Sequence, residues 1–135
     1  MARCKKHEFR YVEYVHTTKL FGFRVTHEPC HVEKCKLCDE VIFSTNQVER
    51  FEREAALALL VKPMVAHGET LRYARKALGL KQQELSELLG LDIIVLEKPN
   101  QELSMSLRLA MAALLAIHGK HVLMSTKKSQ FPARI

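Results

Sequence analysis

The stretch CKLC, Cys35–Cys38, contains two of the four cysteines in a chain of 135 residues. A second pair with the same spacing, CKKH at Cys4–His7, precedes it along the chain. Two intervening residues allow a tight turn to direct both side chains at one ion, and structural Zn²⁺ commonly takes four Cys or His ligands as two such pairs. The spacing therefore predicts a structural zinc site whose ligands are Cys4, His7, Cys35 and Cys38.

Two neighbouring residues leave the ligand set open, because Cys30 and His31 are close enough to Cys35 to replace Cys4 or His7. A redox couple is the other interpretation of the Cys-x-x-Cys pair. The strand-like EVIF that follows it differs from the helix that a thioredoxin-type motif opens. The other two histidines of this region, His16 and His27, are expected to be ordinary surface imidazoles.

The residues between the two pairs favour β structure. Residues Glu8–Thr17 and Phe21–Cys35 are rich in Val, Tyr, Phe and Thr with partial alternation, and Thr18–Gly22 is suited to a turn. They predict two or three short antiparallel strands. So small a sheet buries too little apolar surface to fold alone, and domains of about 40 residues usually need a metal, disulfides or a partner. Residues 1–46 are therefore expected to form a zinc-binding β domain.

A helical pattern begins at Ser44 or Thr45, either of which is a suitable N-cap, and ends before Pro63. The apolar residues at helical spacing are Val48, Phe51, Ala55 and Leu59. Residues 47–64 are predicted to form a connecting helix.

Residues 65–124 are predicted to form an all-helical domain, and residues 125–135 a tail. In this domain Gly79 separates two short helices, and periodicity alone fits a helix-turn-helix unit and an ordinary helical bundle equally well. The apolar positions expected to be buried on these helices are Leu71, Ala74, Leu78, Leu85, Leu88 and Leu89. The fold class predicted for the whole chain is α+β, a small β domain followed by helices.

Charge and motifs limit the classes of function. The net charge of +6 agrees with an anionic partner such as nucleic acid. We find no apolar stretch long enough for a bilayer and no signal-peptide pattern, so we expect a cytoplasmic protein without a membrane partner. Four protein ligands leave zinc no open position, and phosphate-loop, Gly-x-Ser-x-Gly and His-Glu-x-x-His motifs are absent from the sequence. We therefore expect a protein that is not an enzyme.

Two segments carry a resemblance to known families. RKALGLKQQELSELLGL, Arg75–Leu91, resembles the opening helices of the XRE/Cro-type helix-turn-helix family, and EKPNQELSMSLRLAMAAL, Glu97–Leu114, resembles its later loop and fourth helix. A zinc-binding β domain followed by such a domain resembles the MqsA-like antitoxins, also called YgiT-type zinc finger proteins. That family pairs Cys-x-x-Cys with Cys-x-x-Cys, and here His7 takes the place of one cysteine.

The resemblance implies an antitoxin-like transcriptional regulator. Its β domain would bind a toxin protein, and its helical domain would form a homodimer and bind operator DNA. Gln82 would donate to a DNA phosphate with Lys81 beside it, and Lys98 and Asn100 are further candidate DNA contacts.

The third helix departs from this family pattern. Asp92–Leu96 is about three residues shorter than the family's segment, which is close to one helical turn. Ile93, Ile94 and Val95 occupy the region where polar side chains would read bases, and three β-branched residues in a row disfavour a helix. The alternative function is therefore a zinc-stabilised interaction or dimerisation adaptor that has lost DNA binding.

The segment Ser104–Gly119 is apolar on almost every side except at Arg108. Such a helix needs more than one covering surface. We expect it to supply core and, with Met105 and Met111, part of a homodimer face.

Overall fold

The computed structural model describes residues 4–127, with side chains described for residues 4–118. The chain divides into two compact units, Met1–Phe51 and Glu52–Ile135, which we call the β unit and the helical unit. This order of a small antiparallel sheet followed by helices confirms the predicted α+β class. The boundary falls inside the segment predicted as a connecting helix.

The β unit contains five short strands: β1 Phe9–Tyr14, β2 Thr17–Leu20, β3 Phe23–Thr26, β4 Cys30–Cys35 and β5 Val41–Ile42. They form two antiparallel sheets, one with the order β1-β4-β5 and one with the order β2-β3. The prediction of two or three strands was therefore too low. The predicted turn at Thr18–Gly22 was also too long, because Thr18 to Leu20 belong to β2 and only Phe21 and Gly22 connect β2 to β3.

The core of the β unit is small. Its buried apolar members are Cys30, Val32 and Phe51, with Val12, Tyr14, Val41 and Phe43 packed around them. The backbone N–H of His27 donates to the carbonyl of His16 at 2.9 Å, so the two residues close the base of the β2–β3 hairpin. Their rings stack at 5.5 Å and both contact Phe51.

The expectation of a surface imidazole is wrong for His27, whose exposed fraction is 4%. The hairpin places its ring over Phe51, and its Nε2 lies 2.7 Å from the Thr18 hydroxyl. A buried polar group is tolerated when it has such a hydrogen-bond partner.

The first helix, α1, spans Thr45–Val61. Ser44 is its N-cap: the Gln47 N–H donates to Ser44 Oγ at 3.2 Å, and the Ser44 N–H donates to Gln47 Oε1 at 2.9 Å. This reciprocal pair is a capping box. Val48 is exposed, contrary to its place in the predicted apolar face, because the α1 residue that enters the β-unit core is Phe51.

The helical unit contains the rest of α1 and four further helices: α2 Gly68–Ala77, α3 Gln82–Leu89, α4 Ile93–Leu96 and α5 Met105–Lys127. Its buried apolar core consists of Ala56, Leu60, Ala66, Leu71, Ala74, Leu78, Leu85, Ile93, Leu103, Leu107, Met111 and Leu115. Leu71, Ala74, Leu78 and Leu85 were predicted to be buried, and the structure confirms them.

Two predictions about these helices need correction. Leu88 is 58% exposed, because Leu89, one full turn after the buried Leu85, takes the core-facing position instead. Helix α5 continues to Lys127, so the predicted tail 125–135 begins inside it, and residues 128–135 of that tail lie outside the described residues. Across residues 4–127, none of the helices combines the length and apolarity needed to cross a bilayer.

Candidate functional site

Strand pairing brings the two ligand pairs together. Phe9 lies opposite Cys35 in the β1–β4 register, and the Lys36 N–H donates to the Glu8 carbonyl at 2.9 Å, which extends the pairing beyond the strand ends. The Cys35 N–H donates to the Glu40 carbonyl at 3.0 Å and closes the turn that carries Cys38. The segment Cys4–His7 is therefore held beside the turn Cys35–Cys38.

The four donor atoms form a group with the dimensions of a tetrahedral metal site. The Sγ atoms of Cys4, Cys35 and Cys38 and a ring nitrogen of His7 all lie within 4.8 Å of one another. The Cys4 and Cys35 sulfurs are 3.9 Å apart, and the Cys38 sulfur is 3.6 Å from His7 Nδ1. A tetrahedron with ordinary zinc bond lengths has edges of about 3.8 Å between sulfurs and about 3.6 Å between sulfur and nitrogen. The predicted ligand set therefore fits zinc.

The alternative ligands lie elsewhere. The side chain of Cys30 belongs to the apolar core of the β unit, and the ring of His31 stacks on Tyr11 with 5.7 Å between centroids. Alternation along β4 explains the position of Cys30, which points to the face opposite Cys35. His31 shares the face of Cys35 but lies four residues away along the strand, a distance of about 13 Å. Sequence proximity alone did not separate these possibilities.

Groups around the donors orient them. His7 Nε2 lies 3.4 Å from a carboxylate oxygen of Glu40, so the Nδ1 of the same ring is the nitrogen that faces the sulfurs. A carboxylate on the distal nitrogen of a histidine ligand sets its tautomer and raises its basicity. The Leu37 N–H donates to Cys35 Sγ at 3.3 Å and stabilises negative charge on that sulfur. Glu40 is a functional residue that the sequence analysis did not identify.

The thiols differ in acidity. Burial, together with the Cys38 and Cys35 sulfurs, raises the pKa of Cys4 to about 11. Burial also acts to raise the pKa of Cys35, but hydrogen bonds from backbone N–H groups and from His7 outweigh it and lower that pKa to about 6. Cys35 therefore carries negative charge more readily than Cys4 does. A cation that binds all three sulfurs must displace the proton of Cys4.

A second cluster lies in the helical unit, where a concave surface of about 440 Å³ combines three predicted DNA contacts. Lys81, Gln82 and Lys98 line it together with Arg72, Arg75, Ile94 and Glu97. Asn100, the fourth predicted contact, is exposed and does not line this surface. We call this region the basic surface.

A buried ion pair organises the basic surface. Arg75 Nε and a terminal nitrogen donate to the two carboxylate oxygens of Glu97 at 2.5 and 3.2 Å, and both side chains are at least nine-tenths buried. The Gln82 amide donates to the same carboxylate at 3.0 Å. Because Arg75 neutralises Glu97, the surface keeps the positive charge of Arg72, Lys81 and Lys98.

A glycine permits the close approach that places Lys98. A Cβ on Gly68 would lie 2.1 Å from the Lys98 carbonyl oxygen and 2.5 Å from the Glu97 carbonyl carbon. The start of α2 therefore packs directly on the backbone that carries Glu97 and Lys98. Neither this contact nor the Arg75–Glu97 pair was apparent in the sequence, since 22 residues separate the paired charges.

The segment after α3 is a single helical turn. Asp92 Oδ1 accepts from the Val95 N–H at 3.4 Å and caps α4, which has only four residues. Ile93 was predicted to lie in the region where side chains would read bases. It is instead fully buried in the core and therefore cannot contact a base. Ile94 and Val95 are exposed. The short α4 agrees with the prediction of a stunted third helix.

Helix α5 carries both core and exposed apolar residues. Met111 is fully buried, which removes it from the predicted homodimer face, whereas Met105, Leu109 and Ile117 are each more than half exposed. Arg108 points inward, where its guanidinium donates to the carbonyls of Leu60 and Lys62. Buried Arg108 therefore holds the end of α1 against α5 through these hydrogen bonds.

A scan against protein-family models and a search of the curated proteins found no match to this chain.

Proposed function

We propose that this chain is an antitoxin-like, DNA-binding transcriptional regulator whose β unit is stabilised by structural zinc. The helical unit, as an XRE/Cro-like helix-turn-helix domain, binds operator DNA, and the β unit binds a partner protein of the toxin class. The observation that carries this proposal is the convergence of Lys81, Gln82 and Lys98 on one concave surface with a residual positive charge.

The chemistry of the basic surface suits phosphate. Lysine and arginine neutralise phosphates, and such contacts set the register of a protein on a duplex. The Gln82 amide has two N–H donors, and its bond to Glu97 uses one of them. The other is oriented by that bond and serves a phosphate oxygen, which is the role that the XRE/Cro resemblance implies.

The role of the metal in this proposal is to stabilise the fold of the β unit. Three sulfurs and one imidazole fill four coordination positions, so bound zinc supplies cross-linking of the two ligand pairs rather than an open site for chemistry. The exposed apolar side chains of the β unit include Tyr11, Leu37 and Ile42. A rigid unit that displays such side chains is suited to binding a partner protein.

The homodimer is supported by α5. Met105, Leu109 and Ile117 recur at intervals of four and eight residues, so they lie along one side of the helix and are exposed there. A second copy that presents the same face would cover them. Dimerisation would also place two basic surfaces on two half-sites of an operator.

The test is salt-dependent binding of the full-length, zinc-loaded protein to a mixed-sequence DNA duplex. We expect the slope of log Kd against the logarithm of the salt concentration to be smaller by about 2 in the Lys81→Gln/Lys98→Gln variant. Each lost phosphate contact removes about 0.9 from that slope. The variant Lys76→Gln/Arg10→Gln, which loses the same charge from exposed positions outside the basic surface, should keep the wild-type slope. A folded, zinc-loaded protein whose DNA binding does not depend on salt would overturn the proposal.

A protein-interaction adaptor is the second candidate function. It is favoured by four exposed apolar residues close together in the chain, Leu88, Leu91, Ile94 and Val95, where polar side chains would be needed to read bases. The same titration separates the two functions, because an adaptor would bind no DNA while it remains folded and dimeric.

A further inference from the structure

The β2–β3 hairpin has two features near its turn that are expected to destabilise it locally. One is a pair of opposed cations, and the other is a turn residue with an unfavourable backbone conformation. Its sequence, TTKLFGFRVT at residues 17–26, contains two cations and no acidic residue. Lys19 and Arg24 lie directly opposite each other in the register, and both are exposed. Like charges in directly opposed positions repel each other and destabilise a strand pair.

The turn contains the second of these features. Phe21 and Gly22 both have positive φ angles, 49° and 82°, as in the two-residue turns that join antiparallel strands. Asn, Asp or Gly is favoured at the first of these positions, because other side chains are strained there. Among the described residues, Phe21 is the only one other than glycine with a positive φ, and its side chain is 40% exposed.

The outward face of the hairpin presents mainly hydrogen-bond donors. Thr17, Lys19, Arg24 and Thr26 are exposed, whereas Thr18, Leu20, Phe23 and Val25 on the opposite face are half-buried. The Thr17 and Thr26 hydroxyls lie 3.4 Å apart, directly opposite each other like the two cations. Lys19, Phe21 and Arg24 contribute to the lining of a concavity of about 230 Å³. The exposed face and turn of a single hairpin thus carry two cations, two hydroxyls and one aromatic ring.

We propose that the β2–β3 hairpin is a nucleic-acid contact in which Lys19 and Arg24 bind adjacent backbone phosphates and Phe21 packs on sugar or base. Local rules are expected to fail where a site has a function, and here two failures coincide at one surface. Closely spaced cations relieve their mutual repulsion when they share a polyanion. Basic side chains beside an exposed aromatic ring hold single nucleic-acid strands, and on a duplex such a ring can insert between base steps in the minor groove.

This contact lies in the β unit, and the proposed function assigned DNA binding only to the helical unit. The inference rests on the proposed function in one respect, that the nucleic acid is DNA. A hairpin that binds an acidic protein surface or an anionic lipid instead would share the two cations, but only a nucleic acid carries a planar base and a sugar beside every phosphate for Phe21 to contact.

The experiment uses the full-length, zinc-loaded protein and a mixed-sequence DNA duplex of about three helical turns. In the Lys19→Gln/Arg24→Gln variant we expect the slope of log Kd against the logarithm of the salt concentration to be smaller by about 1.8. We also expect the Kd of this variant to rise on the order of tenfold at 0.1 M salt. The charge-matched variant Arg10→Gln/Lys76→Gln should bind as the wild type does.

A second substitution separates binding from folding. Phe21→Asn removes the ring and places a favoured residue in the turn, so the melting temperature of the β unit should stay constant or rise. We expect DNA binding by the same variant to weaken at least about fivefold. Greater stability together with weaker binding is a result that a purely structural role for Phe21 does not produce.

The outcomes distinguish the two proposals. If the hairpin variants bind DNA like the wild type while Lys81→Gln/Lys98→Gln loses binding, the hairpin inference is overturned and the proposed function stands. If the reverse is found, the hairpin inference stands and the role of the basic surface fails. Normal DNA binding by the hairpin variants with lost binding to phosphatidylserine vesicles or to poly-glutamate would assign the hairpin to another ligand and overturn the inference.

Discussion

The β unit and the helical unit are held together by different forces. Among the side chains of residues 4–118, twelve buried apolar residues form the core of the helical unit and three form that of the β unit. Burial of a large aliphatic side chain contributes roughly 1.5–3 kcal/mol, so the larger core offsets much of the entropy that the helical unit loses on folding. The β unit has no comparable apolar contribution.

This difference explains where each unit places its polar groups. In the helical unit the buried Arg75–Glu97 pair and the inward-pointing Arg108 are surrounded by a core that already stabilises the fold. In the β unit the sulfurs and the imidazole lie together at the start of β1 and beyond the end of β4, where a bound metal ion would cross-link the two strands. Small domains commonly depend on a metal in this way.

Among the changes considered, removal of the metal should produce the largest difference in stability between the β unit and the helical unit. The free energy of zinc binding to small structural sites is about 10–16 kcal/mol at neutral pH, and in the β unit it would also be folding free energy. We therefore expect a strong chelator, or the Cys35→Ala substitution, to unfold the β unit and to leave the unfolding transition of the helical unit in place. Hydrogen exchange resolved by segment measures both responses in one sample.

The matched control is Cys30→Ala, which removes a buried thiol that is not among the donors. This variant should retain stoichiometric zinc and lose only the packing of one small side chain. Equal protection of β1 and β4 from exchange before and after chelation would show that the β unit does not depend on the metal.

Disruption of the buried ion pair should have the next largest effect, and in the other unit. Glu97→Ala leaves Arg75 charged and buried without its partner, which typically costs about 3–5 kcal/mol. The stability of the helical unit to urea should fall by that amount while zinc content remains unchanged. Replacement of both partners, as in Arg75→Met/Glu97→Leu, should recover most of the loss, and a double variant no more stable than Glu97→Ala would contradict this account.

The smallest effect should be a pH dependence confined to the β unit. Burial beside aromatic rings and repulsion by His27 lower the pKa of His16 from its ordinary value of 6.5. In the window below 6.5 the unfolded chain then binds more protons than the folded chain, so the free energy of unfolding decreases as the pH falls through that window. Above it, the contribution of His16 is complete.

The measurement is denaturant unfolding of the β unit at several pH values with zinc content followed in parallel. The His16→Asn variant, which cannot titrate, should show a flatter profile than the wild type. Parallel profiles for the two proteins would assign the pH dependence to other groups.

The elements that the sequence predicted well are those set by local chemistry. Ser44 caps α1 because its hydroxyl and the Gln47 amide satisfy backbone groups within one turn. The four donor atoms that the structure brings within 4.8 Å of one another were predicted as a set, because ligand spacing within each pair is a local property. Gln82 and Lys81 were selected by resemblance and Lys98 and Asn100 as further candidates. The structure gathers the first three on one surface, whereas Asn100 does not line it.

The elements that were missed depend on distant contacts. His27 was expected at the surface, but its burial results from a ring stack across the hairpin and over Phe51. Val48 and Leu88 fit an apolar helical pattern and are nevertheless exposed, because periodicity shows which positions share a face and not how far a core extends. The Glu40 carboxylate beside His7 was missed because 33 residues separate the two along the chain, so that only the fold brings them together.

By itself, the sequence determined the α+β order of the chain, the spacing within the two candidate ligand pairs and the shortness of the segment between α3 and α5. Each follows from residues a few positions apart. Only the tertiary structure decided that Cys30 and His31 lie apart from the four clustered donor atoms, that Arg75 neutralises Glu97 beneath the basic surface, and that Lys19 lies opposite Arg24. Strand register and core packing create these relations, because they bring together atoms whose separation along the chain says nothing of their distance in space.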